Sequence, residues 1–220
     1  MADKTEITLT MMRERLTSAL VSDALDKLGY RNQAPDLCLV PRTGISQLVG
    51  RAKTTLWADM AHEDPRPYEL ELRAVDACQT DDVFICAAGS STRSAVWGDL
   101  LSTAAKSRGC VGAIIDGAVR DVAKMTALGF ACFALATRVS DSLHRQRVID
   151  LDVPVELGGT RCSPGDLVFA DLDGVVIVPQ EVEAAAIRDA WDKATTENQI
   201  LEDLRRGLGA QEAYRKHGTL

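Results

Sequence analysis

The spacing of apolar residues changes period several times along the chain, and the changes divide it into elements. Residues 10–28 place Leu20, Ala24, Leu25 and Leu28 at helical spacing, with Thr10 as the expected N-cap, Gly29 as the stop and a possible break near Thr17-Ser18. After a loop with Pro35 and Pro41, residues 48–57 read as a strand, 59–67 as a polar loop with Pro65 and Pro67, and 68–78 as a short amphipathic helix. The centre then alternates. Residues 83–88, 111–115 and 130–135 are strand-like, while 98–108 and 119–128 are helix-like and stop at Gly109 and Gly129. This βαβαβ succession predicts a parallel sheet with right-handed crossovers. The unbroken apolar run Val111-Gly112-Ala113-Ile114-Ile115 predicts a strand covered on both faces.

Beyond that section the pattern shortens. Residues 153–157, 167–170 and 175–178 read as close-set strands joined through Gly-Gly, Pro-Gly-Asp and Asp-Gly turns. A long helix over 181–206 follows, and its partly apolar face (Ala184, Ala185, Ile187, Ala190, Trp191) suits packing between subunits as well as within the chain. The expected fold is α/β: one domain over 1–220, with a parallel βαβαβ section, a mixed sheet or barrel, and an outer C-terminal helix.

Composition narrows the partners. The 220 residues carry a formal net charge of -7, and no run of Lys and Arg exceeds a pair, which argues against nucleic acid or an anionic membrane. Residues 1–6 are polar, unlike a signal peptide, and no apolar run approaches a membrane span, so a cytoplasmic location is expected. The six cysteines (Cys38, Cys78, Cys86, Cys110, Cys132, Cys162) show no C-x-x-C spacing, and the three histidines form no ligand pair. They read as reduced thiols that pack as small hydrophobes.

Chemistry concentrates in two stretches where a strand-like run hands over to a helix: Gly98-Asp99-Leu100-Leu101 and Asp116-Gly117-Ala118-Val119-Arg120-Asp121. Beyond the carboxyl ends of parallel strands their side chains can converge. Gly98 allows close approach of a ligand, and the N–H groups of Leu100 and Leu101 lie unpaired in a first helical turn, where a carboxylate is well received. Arg120 can clamp a carboxylate in bidentate fashion, and Asp121, with Asp99 nearby, offers oxygen ligands to Mg²⁺ or Mn²⁺. A simpler reading stays open: Asp99 caps one helix, Asp121 complements the dipole of the next, and Arg120 is a surface ion-pair partner. The polar stretch Arg138–Arg147 and the loop 59–67 read as solvated surface, and Asp166, Asp171 and Asp173 as turn residues.

These two stretches, preceded by Trp97, together with Val21-Ser22-Asp23-Ala24-Leu25, Pro164-Gly165-Asp166-Leu167-Val168 and Ala170-Asp171-Leu172-Asp173-Gly174-Val175-Val176-Ile177-Val178-Pro179, resemble the RraA-like family over roughly residues 16–206. That family contains the divalent-metal 4-hydroxy-4-methyl-2-oxoglutarate (4-carboxy-4-hydroxy-2-oxoadipate) aldolases. The resemblance implies a swivelling β/β/α domain assembled as a homotrimer or hexamer, with sites at subunit interfaces. It also implies that Asp121 is the direct ligand of Mg²⁺, Mn²⁺ or another divalent metal, that Arg120 holds the pyruvate carboxylate or oxo oxygen, and that Asp99 binds metal waters. The Leu100 and Leu101 amides would receive the pyruvyl carboxylate beside Gly98, and Glu197 is the candidate for a water-mediated metal contact from a neighbouring subunit. The implied activity is cleavage of 4-hydroxy-2-oxo diacids to pyruvate and a second 2-oxo acid, with oxaloacetate decarboxylation through the same enolate. The alternative is a non-catalytic regulator that binds a ribonuclease or another protein. The family's regulator lacks the aspartate of the Arg-Asp pair, whereas this chain has Asp121.

Overall fold

The computed structural model of the chain describes residues 6–218. Residues 1–5, which carry most of the expectation of an N-terminus unlike a signal peptide, lie outside the described residues. The first helical stretch is two helices, α1 (Leu9–Arg15) and α2 (Ser18–Lys27). Thr8, two residues earlier than expected, caps α1 by accepting from the Met11 N–H, and Thr10 lies inside the helix. The chain turns extended at Leu16, and Thr17 caps α2 by accepting from the Leu20 N–H. A second capping threonine thus turns the suspected break into a real one.

Strands β1 (Val40–Pro41) and β2 (Leu48–Asp59) follow, then α3 (Glu69–Asp76), β3 (Asp82–Ala87), β4 (Ala95–Trp97), α4 (Asp99–Ser107), β5 (Gly112–Val119), α5 (Val122–Leu128) and β6 (Ala131–Thr137). The expected βαβαβ section is present: β2, β3, β5 and β6 pair in parallel. Two details differ. The strand predicted at 111–115 runs on to Val119, and the helix predicted from 119 begins at Val122. The register of β5 shifts between Ile115 and Ala118, where its neighbour changes from β3 to β4. A bulge there bends the strand and carries its end towards α5.

The remaining strands are β7 (Gln146–Leu151), β8 (Val155–Leu157), β9 (Thr160–Cys162), β10 (Leu167–Ala170) and β11 (Val175–Val178), followed by α6 (Glu183–Arg205) and α7 (Ala210–His217). β8 and β9 form a separate hairpin, whereas the other nine strands form one mixed sheet that curls into a half-barrel. Long β2 links its parts: β3 flanks one edge, while β10 and then β7 pair antiparallel along the other. β7 corrects the reading of 138–147 as wholly solvated loop, and α7 is a further element that the apolar pattern left out.

Both faces of the parallel section are packed, as the apolar runs require. Phe84, Trp97, Met125, Phe130 and Cys132 lie beneath α3, α4 and α5, while Ile85, Ile114, Phe133 and Leu157 fill the other face. α1, α2 and α6 cover β10 and β11. Asp171 does more than shape its turn, because its carboxylate accepts from both the N–H and the hydroxyl of Ser18 (2.7 and 2.6 Å) and ties the start of α2 to the β10–β11 hairpin. Five of the six free cysteines are buried and Cys38 is exposed. No described helix is long and apolar enough to cross a membrane.

Candidate active site

The end of β4 fixes the first half of the site. The buried Trp97 indole N–H donates to the Ser102 hydroxyl (2.8 Å), which in turn donates to the Gly98 carbonyl (2.8 Å). The Ser102 N–H also reaches that carbonyl, so Gly98 is the N-cap of α4 and Asp99, Leu100 and Leu101 form its first turn. The second half comes from the end of β5. The Arg120 N–H donates to the Trp97 carbonyl (3.0 Å), which sets the two strand ends side by side. Asp121 then adopts a left-handed conformation (φ 57°, ψ 32°), and its carbonyl accepts from Lys124 and Met125 to open α5. Its carboxylate makes no capping hydrogen bond. Aspartate tolerates this backbone region better than most residues.

A Cβ on Gly98 would lie 3.0 Å from Asp121 Oδ2 and 3.4 Å from Arg120 Cγ. Glycine at 98 therefore lets the Asp121 carboxylate rest against the chain at the start of α4. The resulting cavity has a volume of about 300 Å³, and Gly98, Asp99, Leu100, Leu101, Arg120 and Asp121 all line it. Asp116 does not; it is buried and accepts from the Ser90 hydroxyl (2.9 Å), with burial pushing its pKa up. The second acidic stretch thus divides into a buried brace and a site pair.

Electrostatics differ across the cavity. Lys124 Nζ lies 3.1 Å from Asp99 Oδ2 and, as the main cause, holds that carboxyl below its ordinary range. The Leu100 N–H acts in the same direction. Arg120 bridges the floor, with Nη2 at 2.5 Å from Asp141 Oδ2 and Nε at 3.6 Å from Asp121 Oδ2. Burial raises Asp141, but hydrogen bonds from Tyr68 (2.7 Å) and the Leu143 N–H, with the Arg120 charge, outweigh it and hold the carboxyl low. Desolvation and the hydrogen bond to Asp141 push Tyr68 up to about 12.

The sequence reading missed this wall. Asp141 lay in a stretch taken for solvated loop, and Tyr68 and Glu71 in a helix with no assigned role. Glu71 carried a signal nonetheless: with Ala74, Val75 and Cys78 it forms an i, i+3, i+4, i+7 stripe, and all four are buried. An acid on the apolar stripe of a helix marks an unusual environment. The neighbouring segments are also tied down, since the Arg147 guanidinium is ion-paired with the buried Asp64 of the loop 59–67. Glu197 lies elsewhere on this chain, on α6 beside Lys193 (3.6 Å), and does not line the cavity.

Paired carboxylates, a guanidinium and a helix N-terminus thus meet in one cavity at the carboxyl ends of parallel strands, in an α/β protein. Residues 18–177 match the RraA-like family, described as Aldolase/RraA, and the chain belongs to that family. It is 29% identical over 188 residues to a Halalkalibacterium halodurans protein named "Putative 4-hydroxy-4-methyl-2-oxoglutarate aldolase", covering 86% of this chain and 84% of that one. Among solved structures, a Pseudomonas syringae protein superposes with a TM-score of 0.81 at 26% identity, covering 93% of this chain and 95% of that chain. Streptomyces coelicolor RraAS2, described as an unusual member of the RNase ES inhibitor RraA family, superposes with a TM-score of 0.76 at 27% identity, covering 91% of this chain and 96% of that one.

Proposed function

We propose that this chain is a divalent-metal-dependent lyase that cleaves 4-hydroxy-2-oxo diacids to pyruvate and a second 2-oxo acid, and that it decarboxylates oxaloacetate through the same enolate. The observation that carries this reading is the meeting of Asp99, Arg120, Asp121 and the α4 N-terminus in one cavity of about 300 Å³. The aldolase name of the Halalkalibacterium halodurans relative supports it.

The donor set suits Mg²⁺ or Mn²⁺. Among the described residues no three His, Cys, Asp or Glu side chains form a ready-made cage, but Mg²⁺ keeps several waters and takes one or two carboxylates. Asp121 would hold the ion directly and Asp99 would order its water; Glu197 of a neighbouring copy in a homotrimer or hexamer would add a water-mediated contact. When bound, the ion supplies a Lewis acid for the 2-oxo group.

The protein's own groups do the rest. The Leu100 and Leu101 amides receive the pyruvyl carboxylate at the positive end of α4, and Arg120 holds the oxo oxygen as charge develops on it. Asp99, ionised and oriented by Lys124, positions a water that takes the C4 hydroxyl proton. The C3–C4 bond then breaks, releasing the second 2-oxo acid and leaving the pyruvate enolate.

The test is cleavage of 4-hydroxy-4-methyl-2-oxoglutarate by purified protein with Mg²⁺, followed as pyruvate. Two pyruvates per substrate, abolished by EDTA and in Asp121→Ala, is the expected result. Absence of cleavage together with a stable complex with a protein partner would favour the regulator reading instead.

A further inference from the structure

Glu71 is 5% exposed, lines the cavity from α3, and its Oε2 is buried without a hydrogen-bond partner. Buried polar atoms are nearly always paired, and an unpaired buried carboxylate is strongly disfavoured. A neutral carboxyl is less costly to bury, and an orphaned oxygen on a cavity wall suits a group that the ligand completes. We propose that Glu71 is the acid of this site, delivering its proton to C3 of the pyruvate enolate left by bond cleavage. This assignment rests on the lyase reading above.

The electrostatic surroundings agree with the geometry. Burial, helped by the Asp141 charge and opposed by Arg120, pushes Glu71 up to about 8. Tyr68 and Cys86 are its other titratable neighbours, and both are themselves raised, chiefly by burial. Of the elements packed against α3, β7 brings Arg147, held by Asp64, and α4 brings Asp99, held by Lys124. The other groups of the cavity are worse donors: Asp99 and Asp141 are held low, and Tyr68 keeps its proton to about 12 while donating to Asp141. A general acid works best with a pKa near the working pH.

The step balances without a co-reactant. The enolate C2–C3 π pair forms the new C3–H bond as the Glu71 O–H bond breaks, the 2-oxo group is restored, and Glu71 is left as carboxylate. The proton removed earlier from the C4 hydroxyl returns to it through solvent.

Two measurements test the assignment on wild type, Glu71→Gln and Glu71→Met. The first is loss of the pyruvate methyl signal by NMR in D₂O with Mg²⁺, which reads proton transfer at C3 alone, run beside oxaloacetate consumption. Methyl exchange should fall by about 100-fold in both variants, with oxaloacetate consumption falling less, because bond cleavage precedes the Glu71 step. The second is infrared difference spectroscopy of the metal-free protein. It should show a neutral carboxyl band that is absent from both variants and fades from wild type as pH passes about 8. Exchange in Glu71→Gln at the wild-type rate, or absence of that band, would overturn the assignment while leaving the lyase reading intact. A wild type that neither exchanges nor decarboxylates would overturn both.

Discussion

Asp99 and Glu71 line the same cavity but meet opposite surroundings. Asp99 opens a helix, faces Lys124 and is held charged; Glu71 lies on the buried stripe of α3, faces Asp141 and an already paired Arg120, and is held neutral up to about 8. Both are carboxyl side chains on short helices, so residue type does not separate them. Solvent and the sign of the nearest charge do. The α4–α5 wall thereby offers fixed negative charge and backbone donors, while the α3 wall offers a proton. Two carboxyl groups with displaced pKa values are the arrangement that acid–base chemistry uses to divide its labour.

Removing charge from the first wall should have the largest effect. Asp121→Asn keeps a residue that tolerates the left-handed backbone at φ 57° yet loses the charge proposed to hold the metal. Steady-state kinetics should show kcat/KM down by on the order of 10²–10³ or more, with the melting temperature near that of wild type. A large drop in melting temperature would return Asp121 to a structural role.

The second wall should show itself in stability. Burial pushes Glu71 up to about 8, well above its ordinary value of 4.5. A group raised in this way favours the folded state below pH 4.5, and that contribution is lost as pH rises through about 8. Glu71→Gln removes the loss. Urea unfolding should therefore find the variant gaining on wild type between pH 4 and pH 9 by roughly 5 kcal/mol at most. A pH-independent difference would contradict the neutral carboxyl.

Asp141→Asn sharpens the contrast by acting on both walls. It removes the charge that helps raise Glu71 and Tyr68 and frees the Arg120 guanidinium. Phenolate absorbance should report a lower Tyr68 pKa, and the neutral carboxyl band of Glu71 should fade at lower pH. The smallest effect is expected from Gly98→Ala, whose Cβ would lie 3.0 Å from Asp121 Oδ2. A displacement of a few tenths of an ångström should reduce turnover by roughly 10-fold without unfolding the protein.

Much of the first wall was legible in the sequence, and little of the second. The strand-to-helix handovers at Gly98 and Arg120 follow from apolar runs that end in glycine and charge, and the topology brings their ends together. β4 is only Ala95–Trp97, too short to show a period, and it pairs where β5 bulges. β7 alternates weakly because Arg147 turns to the buried Asp64 while Ile149 is exposed. Those two strands flank the segment holding Asp141, so the ion pair with Arg120 was invisible to a reading by local pattern. Glu71 was visible as an acid on an apolar stripe, but its missing partner is a tertiary fact.

The most direct test of the central claim is pyruvate release from oxaloacetate, corrected for the metal alone, by wild type and Asp121→Ala with Mg²⁺ and after EDTA. The account predicts turnover by wild type that EDTA removes and the substitution abolishes. Equal rates in wild type and Asp121→Ala, or turnover indifferent to EDTA, would contradict it.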